Sequence, residues 1–143
     1  MQVKEVMTRD VEIISPHSTL QEAAALMKKL DVGPLPVCQD DRLVGVVTDR
    51  DITVRATAEG QDPWGTRVRD VMSTKVVSCF DDQEVEEAAA LMRKNEVRRL
   101  LVLDRNKRLV GIVSLGDLAV KAGDEQSAGD TLEHVSTPAK PRR

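Results

Sequence analysis

The chain contains an internal repeat. The segment Glu22–Met27 returns unchanged 65 residues later as Glu87–Met92. At the same spacing, Val6–Thr8 returns as Val71–Ser73, with serine in place of threonine. Motifs that recur in the same order at a constant spacing indicate a duplicated supersecondary unit. The sequence therefore predicts two similar units within a chain of 143 residues.

A third repeated motif shows where the two copies differ in length. Arg42–Gly45 returns as Arg108–Gly111 after 66 residues, so the second copy carries one extra residue. That residue falls in the polar turn 104–107, where an insertion costs least. Each copy reads as strand, helix, strand, strand, helix. The predicted strands are 11–14, 35–38 and 43–47 in the first copy and 76–79, 100–103 and 109–113 in the second, and the closing helices are 51–58 and 117–121.

The first helix of each copy carries an amphipathic pattern. In residues 23–30, apolar side chains fall at positions i, i+3, i+4 and i+7, which is one face of a helix. Ser18 and Thr19 are both candidate N-caps there, because each is followed three residues later by glutamine or glutamate. Asp81 and Asp82 are the candidate caps of the matching helix. The alanines of these helices suit either close contact between helices or packing beneath a sheet.

Neither copy can bury both faces of a three-stranded sheet alone. A unit of about 55 residues is marginal, because too little of its surface is buried on folding. We therefore expect an α/β (α+β) module of two β-α-β-β-α repeats packed with pseudo-twofold symmetry. The repeats are expected at 1–58 and 67–122, with a linker at 59–66 and a flexible tail at 123–143. Trp64 is expected to pin the linker to the core.

Composition and charge exclude several classes of protein. The formal net charge of −3 disfavours nucleic-acid binding, because that role needs a basic surface. The chain holds one Trp, one Phe and no Tyr, so it cannot build an aromatic platform for single-stranded nucleic acid. It shows neither an apolar run long enough to span a membrane nor the apolar core of a signal peptide. A cytoplasmic location and no membrane partner are expected.

Residues typical of redox and metal sites are sparse. Cys38 and Cys79 form no CxxC motif and are interpreted as small buried strand residues, with a disulfide or redox pair left open. His17 and His134 are too few for a histidine metal site and are expected on the surface. No nucleophile–base pair or Walker loop is visible in the sequence, so neither catalysis nor a required cofactor or metal is expected.

The pattern that could carry chemistry follows the last strand of each copy. Gly45–Asp51 and Gly111–Asp117 both read glycine, two aliphatic residues, a hydroxyl residue, two further residues and aspartate. A hydroxyl residue followed three positions later by an acid is a capping box, which needs no ligand. The same residues also suit a nucleoside, because a carboxylate can accept two hydrogen bonds from a ribose diol. In that interpretation Asp51 and Asp117 bind ribose. Thr48 and Ser114 contact phosphate, and Val46 and Ile112 lie against adenine.

These repeated motifs resemble those of a known family. The Val-Met-[Thr/Ser] turns, the Glu-Ala-Ala-Ala-Leu-Met helices and the Gly-h-h-[Ser/Thr]-x-x-Asp strand exits are similar to those of tandem cystathionine-β-synthase (CBS) domains, or Bateman modules. Val32–Val37 matches as well, and the resemblance covers about residues 2–122. The segment 40–52 further resembles small stand-alone bacterial CBS-pair proteins of the stress- or hypoxia-response type.

The resemblance implies a regulatory function. It implies binding of adenosine-containing ligands in clefts between the copies, with AMP, ADP, ATP, S-adenosylmethionine and NAD(H) as candidates. It also implies a homodimer packed through helices. The regulated protein is expected to be a separate, unidentified partner. A ligand-free dimerisation scaffold of the same fold is the alternative, and in it the aspartates serve only as helix caps.

The resemblance also assigns residues to the expected site. Asp51 and Asp117 match the family's ribose-binding acid, and the hydroxyl residue three positions before each matches its neighbour. Each cleft is expected to take a base-contacting edge from the first strand of the other copy. Thr8–Ile13 would then serve the Asp117 cleft, and Ser73–Val77 the Asp51 cleft.

The two clefts are expected to differ in charge. Arg98 and Arg99 lie where family members often place basic residues against phosphate. The first copy has Gly33 and Pro34 at the matching positions, which carry no charge. Arg50 could partly compensate, because it projects from the start of the same helix as the first motif aspartate.

Overall fold

The computed structural model describes residues 1–120. The tail predicted at 123–143, which contains His134, lies outside the described residues, as does the predicted end of the last helix. No helix within the described part is both long enough and apolar enough to cross a membrane.

The chain divides into two compact units that do not coincide with the two halves of the sequence. Residues 12–76 form one, which we call the central unit. Residues 1–11 pack together with the chain from Val77 onwards to form the other, which we call the split unit. The first residues of the chain therefore contribute to the core of its second half.

The central unit combines one long helix with a β-hairpin. Strand β1 (Leu35–Gln39) runs antiparallel to strand β2 (Arg42–Val47). Asp40 and Asp41 join them with φ angles of 53° and 66°, which is the backbone geometry of a tight two-residue hairpin loop. The other elements are helix α1 (Leu20–Leu30), helix α2 (Asp49–Asp51) with its π-helical continuation (Ile52–Thr57), and a 3-10 turn (Val68–Asp70). Their buried apolar side chains form one core: Ile14, Leu20, Ala23, Met27, Leu35, Val37, Val47, Ala56, Val68 and Val71.

The split unit is built on a three-stranded sheet. Strand β3 (Ser78–Phe80) lies parallel to β4 (Arg99–Leu103), and β4 lies antiparallel to β5 (Leu109–Ser114). The other elements are a 3-10 turn (Val3–Glu5), helix α3 (Val85–Asn95) and helix α4 (Leu115–Val120). The core of this unit contains Val3, Val6, Met7, Cys79, Val85, Ala88, Ala89, Met92, Leu100, Val102, Val113, Leu115 and Leu118. The predicted α+β class is confirmed.

Of the caps predicted for the first helix of each copy, only that of α1 is found. Thr19, and not Ser18, caps α1, because its hydroxyl oxygen accepts the N–H of Glu22 at 3.2 Å. In return the Thr19 N–H donates to the Glu22 carboxylate at 3.3 Å. This is a complete capping box, which satisfies two backbone groups that would otherwise lack partners.

The caps predicted at Asp81 and Asp82 are wrong. Helix α3 begins later, with Glu84 as its N-cap, whose N–H donates to the Glu87 carboxylate at 3.2 Å. The Asp81 N–H instead donates to the carbonyl of Leu103 at 2.9 Å. The chain is therefore still paired with β4 at this point, and the helix can begin only after the turn that follows.

The strand predicted at 11–14 is reduced to a single bridge. The Ile14 N–H donates to the Pro36 carbonyl, and the Cys38 N–H donates to the Ile14 carbonyl, both at 3.0 Å. Ile14 is buried whereas the two residues before it are exposed, so they have no core to pack against. Asp10 has a φ of 60°, a left-handed conformation that interrupts the extended chain just before this stretch.

Trp64 does not pin the linker to the core, because 65% of its surface is exposed. The loop is held instead by its backbone and by Thr66, which is buried. The carbonyl of Thr66 accepts the N–H of Leu20 at 3.0 Å, and the carbonyl of Pro63 accepts the N–H of Gln21 at 3.1 Å. These hydrogen bonds attach the linker to the start of α1 without using the indole.

Candidate functional site

The first motif aspartate completes a capping box at the end of β2. The Asp51 N–H donates to Thr48 Oγ1 at 3.0 Å, and the Thr48 N–H donates to Asp51 Oδ2 at 2.9 Å. Because Thr48 is the N-cap, α2 begins at Asp49, two residues before the predicted start of 51–58. The Asp51 side chain is only 15% exposed and is held in one orientation by the box.

The second motif aspartate forms the same box at the end of β5. The Asp117 N–H donates to Ser114 Oγ at 3.1 Å, and the Ser114 N–H donates to Asp117 Oδ2 at 2.9 Å. Helix α4 accordingly begins at Leu115 and not at residue 117. Asp117 is partly buried. In both boxes the backbone contact uses Oδ2, so Oδ1 is not part of the box.

A segment from the opposite repeat pairs with each motif strand. In the central unit, Ser73 and Val46 exchange two backbone hydrogen bonds of 2.8 and 2.9 Å. In the split unit, Thr8 and Ile112 exchange two of 2.8 and 3.0 Å. Thr8 and Ser73 end the repeated Val-Met turns, so each compact unit combines the turn of one copy with the motif strand of the other.

The motif glycines are required by this pairing. A Cβ added to Gly45 would lie 2.7 Å from the carbonyl oxygen of Ser73. One added to Gly111 would lie 2.7 Å from the sulfur of Met7 and 2.8 Å from the carbonyl oxygen of Thr8. In each unit, the motif glycine therefore allows the motif strand to approach the Val-Met turn closely.

The residues predicted to contact the base are only partly brought together. Val46 and Ile112 are partly buried and lie on β2 and β5, five residues before their aspartates. Ile13, which is expected beside Asp117 of the split unit, belongs to the central unit and is exposed. Val77, which is expected beside Asp51 of the central unit, packs against the core of the split unit.

The predicted basic residues lie at the start of β4 and of α2. Arg98 and Arg99 are exposed, and Arg99 lies opposite Ser114 in the β4–β5 register. The carbonyl of Arg98 accepts the N–H of Leu115 at 2.9 Å, which places its backbone beside the start of α4. Arg50 is exposed as well, in the first turn of α2.

The matching position in the first copy is a glycine that lies close to the Asp49 side chain. The carbonyl of Gly33 accepts the N–H of Asp49 at 3.2 Å, so its backbone occupies the place that Arg98 has in the second copy. A Cβ on Gly33 would lie 3.0 Å from Asp49 Oδ1. The two motifs therefore have different charges around them.

Sequence reasoning missed Arg55, which contacts the first motif aspartate. Its Nε lies 3.7 Å from Asp51 Oδ1. Its Nη1 donates to the carbonyls of Val71 at 3.2 Å and of Met72 at 3.4 Å. The i,i+4 spacing of Arg55 and Asp51 on a helix was the available signal, but the carbonyl partners lie 16 and 17 residues away in sequence.

The cysteines are free and buried, so neither is part of a disulfide in this structure. Burial raises the pKa of the Cys79 thiol to about 11, with a smaller contribution from the charge of Asp81. Burial also raises the pKa of Cys38, again with a smaller contribution, from Asp41. Among residues 1–120, no three His, Cys, Asp or Glu side chains are grouped so as to hold a metal ion.

The capping box and the paired Val-Met turn occur once in each compact unit, which defines a duplicated α+β module. A model of the CBS domain family matches residues 3–56 and 68–122, once for each repeat. The chain belongs to the CBS domain family and carries two CBS domains in tandem.

Similar proteins include another CBS domain-containing protein and two solved structures. The chain is 48% identical over 134 residues to the CBS domain-containing protein YhcV of Bacillus subtilis (strain 168), and the match covers 94% of each chain. The crystal structure of Hypoxic Response Protein I with two coordinated zinc ions matches with a TM-score of 0.74 at 34% identity, covering 83% of this chain and 97% of that one. The crystal structure of CBSX2 in complex with AMP matches with a TM-score of 0.72 at 30% identity, covering 87% of this chain and 98% of that one.

Proposed function

We propose that this CBS pair binds an adenosine-containing ligand beside Asp51 and another beside Asp117, and that occupancy regulates a separate partner protein. AMP, ADP and ATP are the first candidates, and S-adenosylmethionine and NAD(H) the next. The observation that carries the proposal is the repeated capping box, which fixes a partly buried carboxylate at the end of β2 and again at the end of β5. The AMP complex of CBSX2 supports AMP as the first ligand to test.

The carboxylates favour a ligand with a ribose diol. The backbone contact in each box uses Oδ2, so a ribose hydroxyl is proposed to donate to Oδ1. At Asp51 that oxygen lies 3.7 Å from Arg55 Nε, which is beyond hydrogen-bond distance. Hydrogen bonds from hydroxyl groups to a carboxylate are roughly twice as strong as those between neutral groups. Two adjacent hydroxyls can share one carboxylate, whereas a deoxyribose offers fewer donors.

The adenine would lie against aliphatic side chains and backbone. Val46 and Ile112 are partly buried, so each presents apolar surface that a base can cover. Ser73 and Thr8, paired beside them, supply a backbone edge in each unit. An aliphatic slot is the expected solution in a chain with one Trp, one Phe and no Tyr.

The two sites would differ in their preference for phosphate. Thr48 and Ser114 accept a backbone N–H through their hydroxyl oxygens and can still donate their own hydrogen to a phosphate oxygen. Arg98 and Arg99 add positive charge beside Asp117, and the first copy has only Arg50 in the first turn of its helix. We therefore expect the Asp117 site to hold the more highly phosphorylated ligand.

The regulatory output is proposed to pass through a homodimer in the cytoplasm. Three alanines remain exposed on α1 and α3, namely Ala24, Ala25 and Ala90, which supports close packing against helices of a second copy. A ligand can shift a dimer equilibrium only by binding its two geometries with different affinity. Free cysteines support a reducing compartment.

A ligand-free scaffold is the second candidate, and the capping boxes also favour it. Thr48–Asp51 and Ser114–Asp117 satisfy backbone groups whether or not a nucleotide is present. In that case, replacing either aspartate would cost stability alone, by about 1 kcal/mol.

Thermal unfolding with AMP, ADP, ATP, S-adenosylmethionine and NADH separates the two candidates. A ligand at 100 times its Kd stabilises the folded state by roughly 2.7 kcal/mol, which corresponds to a rise in Tm of several degrees. We expect such a shift with an adenine nucleotide, and a smaller shift in Asp51→Asn and in Asp117→Asn. Asparagine keeps an oxygen to accept the backbone N–H but loses the charge and an acceptor.

Two matched variants control for the loss of a capping carboxylate. Glu22→Gln changes the box of α1 in the central unit, and Glu87→Gln changes that of α3 in the split unit. Both should keep the full ligand-induced shift. The absence of any shift in the wild-type protein would favour the scaffold. Equal shifts in all four variants would show that the nucleotide does not bind through the motif aspartates.

A further inference from the structure

The guanidinium of Arg55 connects the first motif aspartate to a separate segment of the central unit. On one side, Nε lies 3.7 Å from Asp51 Oδ1. On the other, Nη1 donates to the carbonyls of Val71 and Met72 at 3.2 and 3.4 Å. One planar group thus spans a helix and the end of a 3-10 turn.

The segment that Arg55 holds is the one that pairs with β2. Ser73 follows Met72 directly, and its N–H and carbonyl exchange hydrogen bonds with Val46. Met72 also lies 3.0 Å, by its sulfur, from the position where a Cβ on Gly45 would be. Any movement of residues 71–73 therefore changes the edge beside Val46, where the base is proposed to lie.

The contact with Asp51 does not use up the acceptor capacity of its carboxylate. A separation of 3.7 Å is longer than a hydrogen bond, so Arg55 attracts Oδ1 without occupying its lone pairs. The guanidinium is rigid and planar, so its contacts to the carbonyls fix the direction of the charge that faces Oδ1. Oδ1 is thereby both oriented and available to a hydroxyl donor.

We propose that Arg55 is a positioning residue that couples the occupant of Asp51 to residues 71–73. This inference rests on the proposed nucleotide binding at Asp51. A ribose bound to Oδ1 restricts the movement of Asp51 and, through it, of Arg55. Arg55 then holds the carbonyls of Val71 and Met72 more firmly. Ligand binding and the pairing of Ser73 with Val46 then stabilise each other, as linkage requires.

The first test needs no ligand. Hydrogen exchange at the Ser73 N–H, which donates to the Val46 carbonyl, reports how well the segment is held. It is measured in the wild-type protein, in Asp51→Asn, in Arg55→Met and in the double variant. We expect each single variant to exchange faster and the double variant to exchange no faster than Arg55→Met. Additive effects of the two substitutions would overturn the coupling, whether or not a nucleotide binds.

The second test compares ligands with and without the ribose diol. The measurements use an Asp117→Asn background, so that AMP binding reports on the Asp51 site. In that background Arg55→Met should lower the affinity for AMP about tenfold. The affinity of 2′,3′-dideoxy-AMP, which has no hydroxyl to donate to Oδ1, should change less than about twofold. Arg55→Lys, which keeps the charge but not the planar fork, should recover only part of the loss.

Arg67→Met is the matched control. Arg67 is another exposed arginine of the central unit, and its Nη1 donates to the carbonyl of His17 at 3.0 Å. Its loss should leave AMP affinity and Ser73 exchange unchanged. Equal losses for AMP and its dideoxy analogue in Arg55→Met would show a general structural role and overturn the inference. If AMP does not bind the wild-type protein, the proposed function itself fails, which the ligand-free test distinguishes.

Discussion

At the scale of single residues, burial suppresses the reactivity of the Cys79 thiol. It lies on β3 with 3% of its surface exposed, and burial raises the pKa of its thiol to about 11. Because the thiolate and not the thiol is the nucleophile, the native side chain is protonated and unreactive at neutral pH. Cys79 is a core residue of the split unit.

The corresponding prediction concerns alkylation. In a Cys38→Ser variant, where Cys79 is the remaining cysteine, maleimide labelling at pH 8 should be about a hundredfold slower in the native protein than in denaturant. Labelling followed by mass spectrometry measures both rates. Native labelling as fast as that of the unfolded chain would contradict the burial, and the cysteine-free Cys38→Ser/Cys79→Ser double variant provides the background.

The pKa of Asp82, which forms a surface ion pair with Arg105, shifts in the opposite direction to that of Cys79. Arg105 donates from Nη2 to Asp82 Oδ1 at 2.8 Å and from Nε to Oδ2 at 2.9 Å. This side-chain hydrogen bonding lowers the pKa of Asp82 below its ordinary value. A carboxylate with a lowered folded-state pKa contributes stability above its unfolded pKa, and that contribution is lost as pH falls through the folded pKa.

Arg105→Met should therefore raise the pKa of Asp82 toward its ordinary value. The free energy of unfolding should then fall slightly less as the pH is lowered through the acid range. The Asp82 carboxyl titration by NMR measures the first effect directly. Arg108→Met is the control, because among the contacts described Arg108 contacts the neighbouring Asp104 through its backbone N–H and carbonyl and not through its side chain. An unchanged titration of Asp82 in Arg105→Met would show that the pair does not persist in solution.

Among the secondary-structure elements, β5 is tightly constrained by its packing against residues 6–8. A Cβ on Gly111 would overlap both the sulfur of Met7 and the carbonyl oxygen of Thr8. The backbone oxygen cannot move without breaking its hydrogen bond to the Ile112 N–H. The repeat of this contact at Gly45 shows that the glycine is needed for the pairing in both units.

Gly111→Ala should destabilise the protein by about 1–3 kcal/mol, because overpacking forces the backbone to shift. Gly116→Ala is the matched control. Gly116 lies in α4 with its nearest neighbouring atom 3.6 Å from the added Cβ, so alanine fits there and favours the helix. Urea unfolding compares the two variants. A Gly111→Ala protein as stable as the wild type would contradict the described contact.

The same elements show which parts of the fold could be predicted from the sequence. The hairpin strands and the first helix of each copy follow from local periodicity, and the Thr19 cap follows from its capping box. The start of α2 was predicted two residues late, although Thr48 and Asp51 already formed a recognisable box. The pairing of Ser73 with Val46 and the contact of Arg55 with Val71 depend on distant parts of the chain, so no local pattern indicated them.

On the scale of the whole molecule, each compact unit is assembled from both repeats. Residues 1–11 pack with the second half of the chain, and residues 67–76 pack with the first. Each unit thus holds one motif aspartate and one Val-Met turn from the opposite copy. The duplication visible in the sequence gives two equivalent capping boxes, and the proposed difference in phosphate preference depends on the few residues that the copies do not share.

The central claim is that the two motif aspartates bind an adenine nucleotide. Isothermal titration calorimetry of AMP into the wild-type protein and into the Asp51→Asn/Asp117→Asn double variant tests it most directly. The Glu22→Gln/Glu87→Gln double variant serves as the matched control. The account predicts saturable binding in the wild type and the control, and at least about tenfold weaker binding in the aspartate variant. Wild-type affinity in a folded aspartate double variant would contradict it.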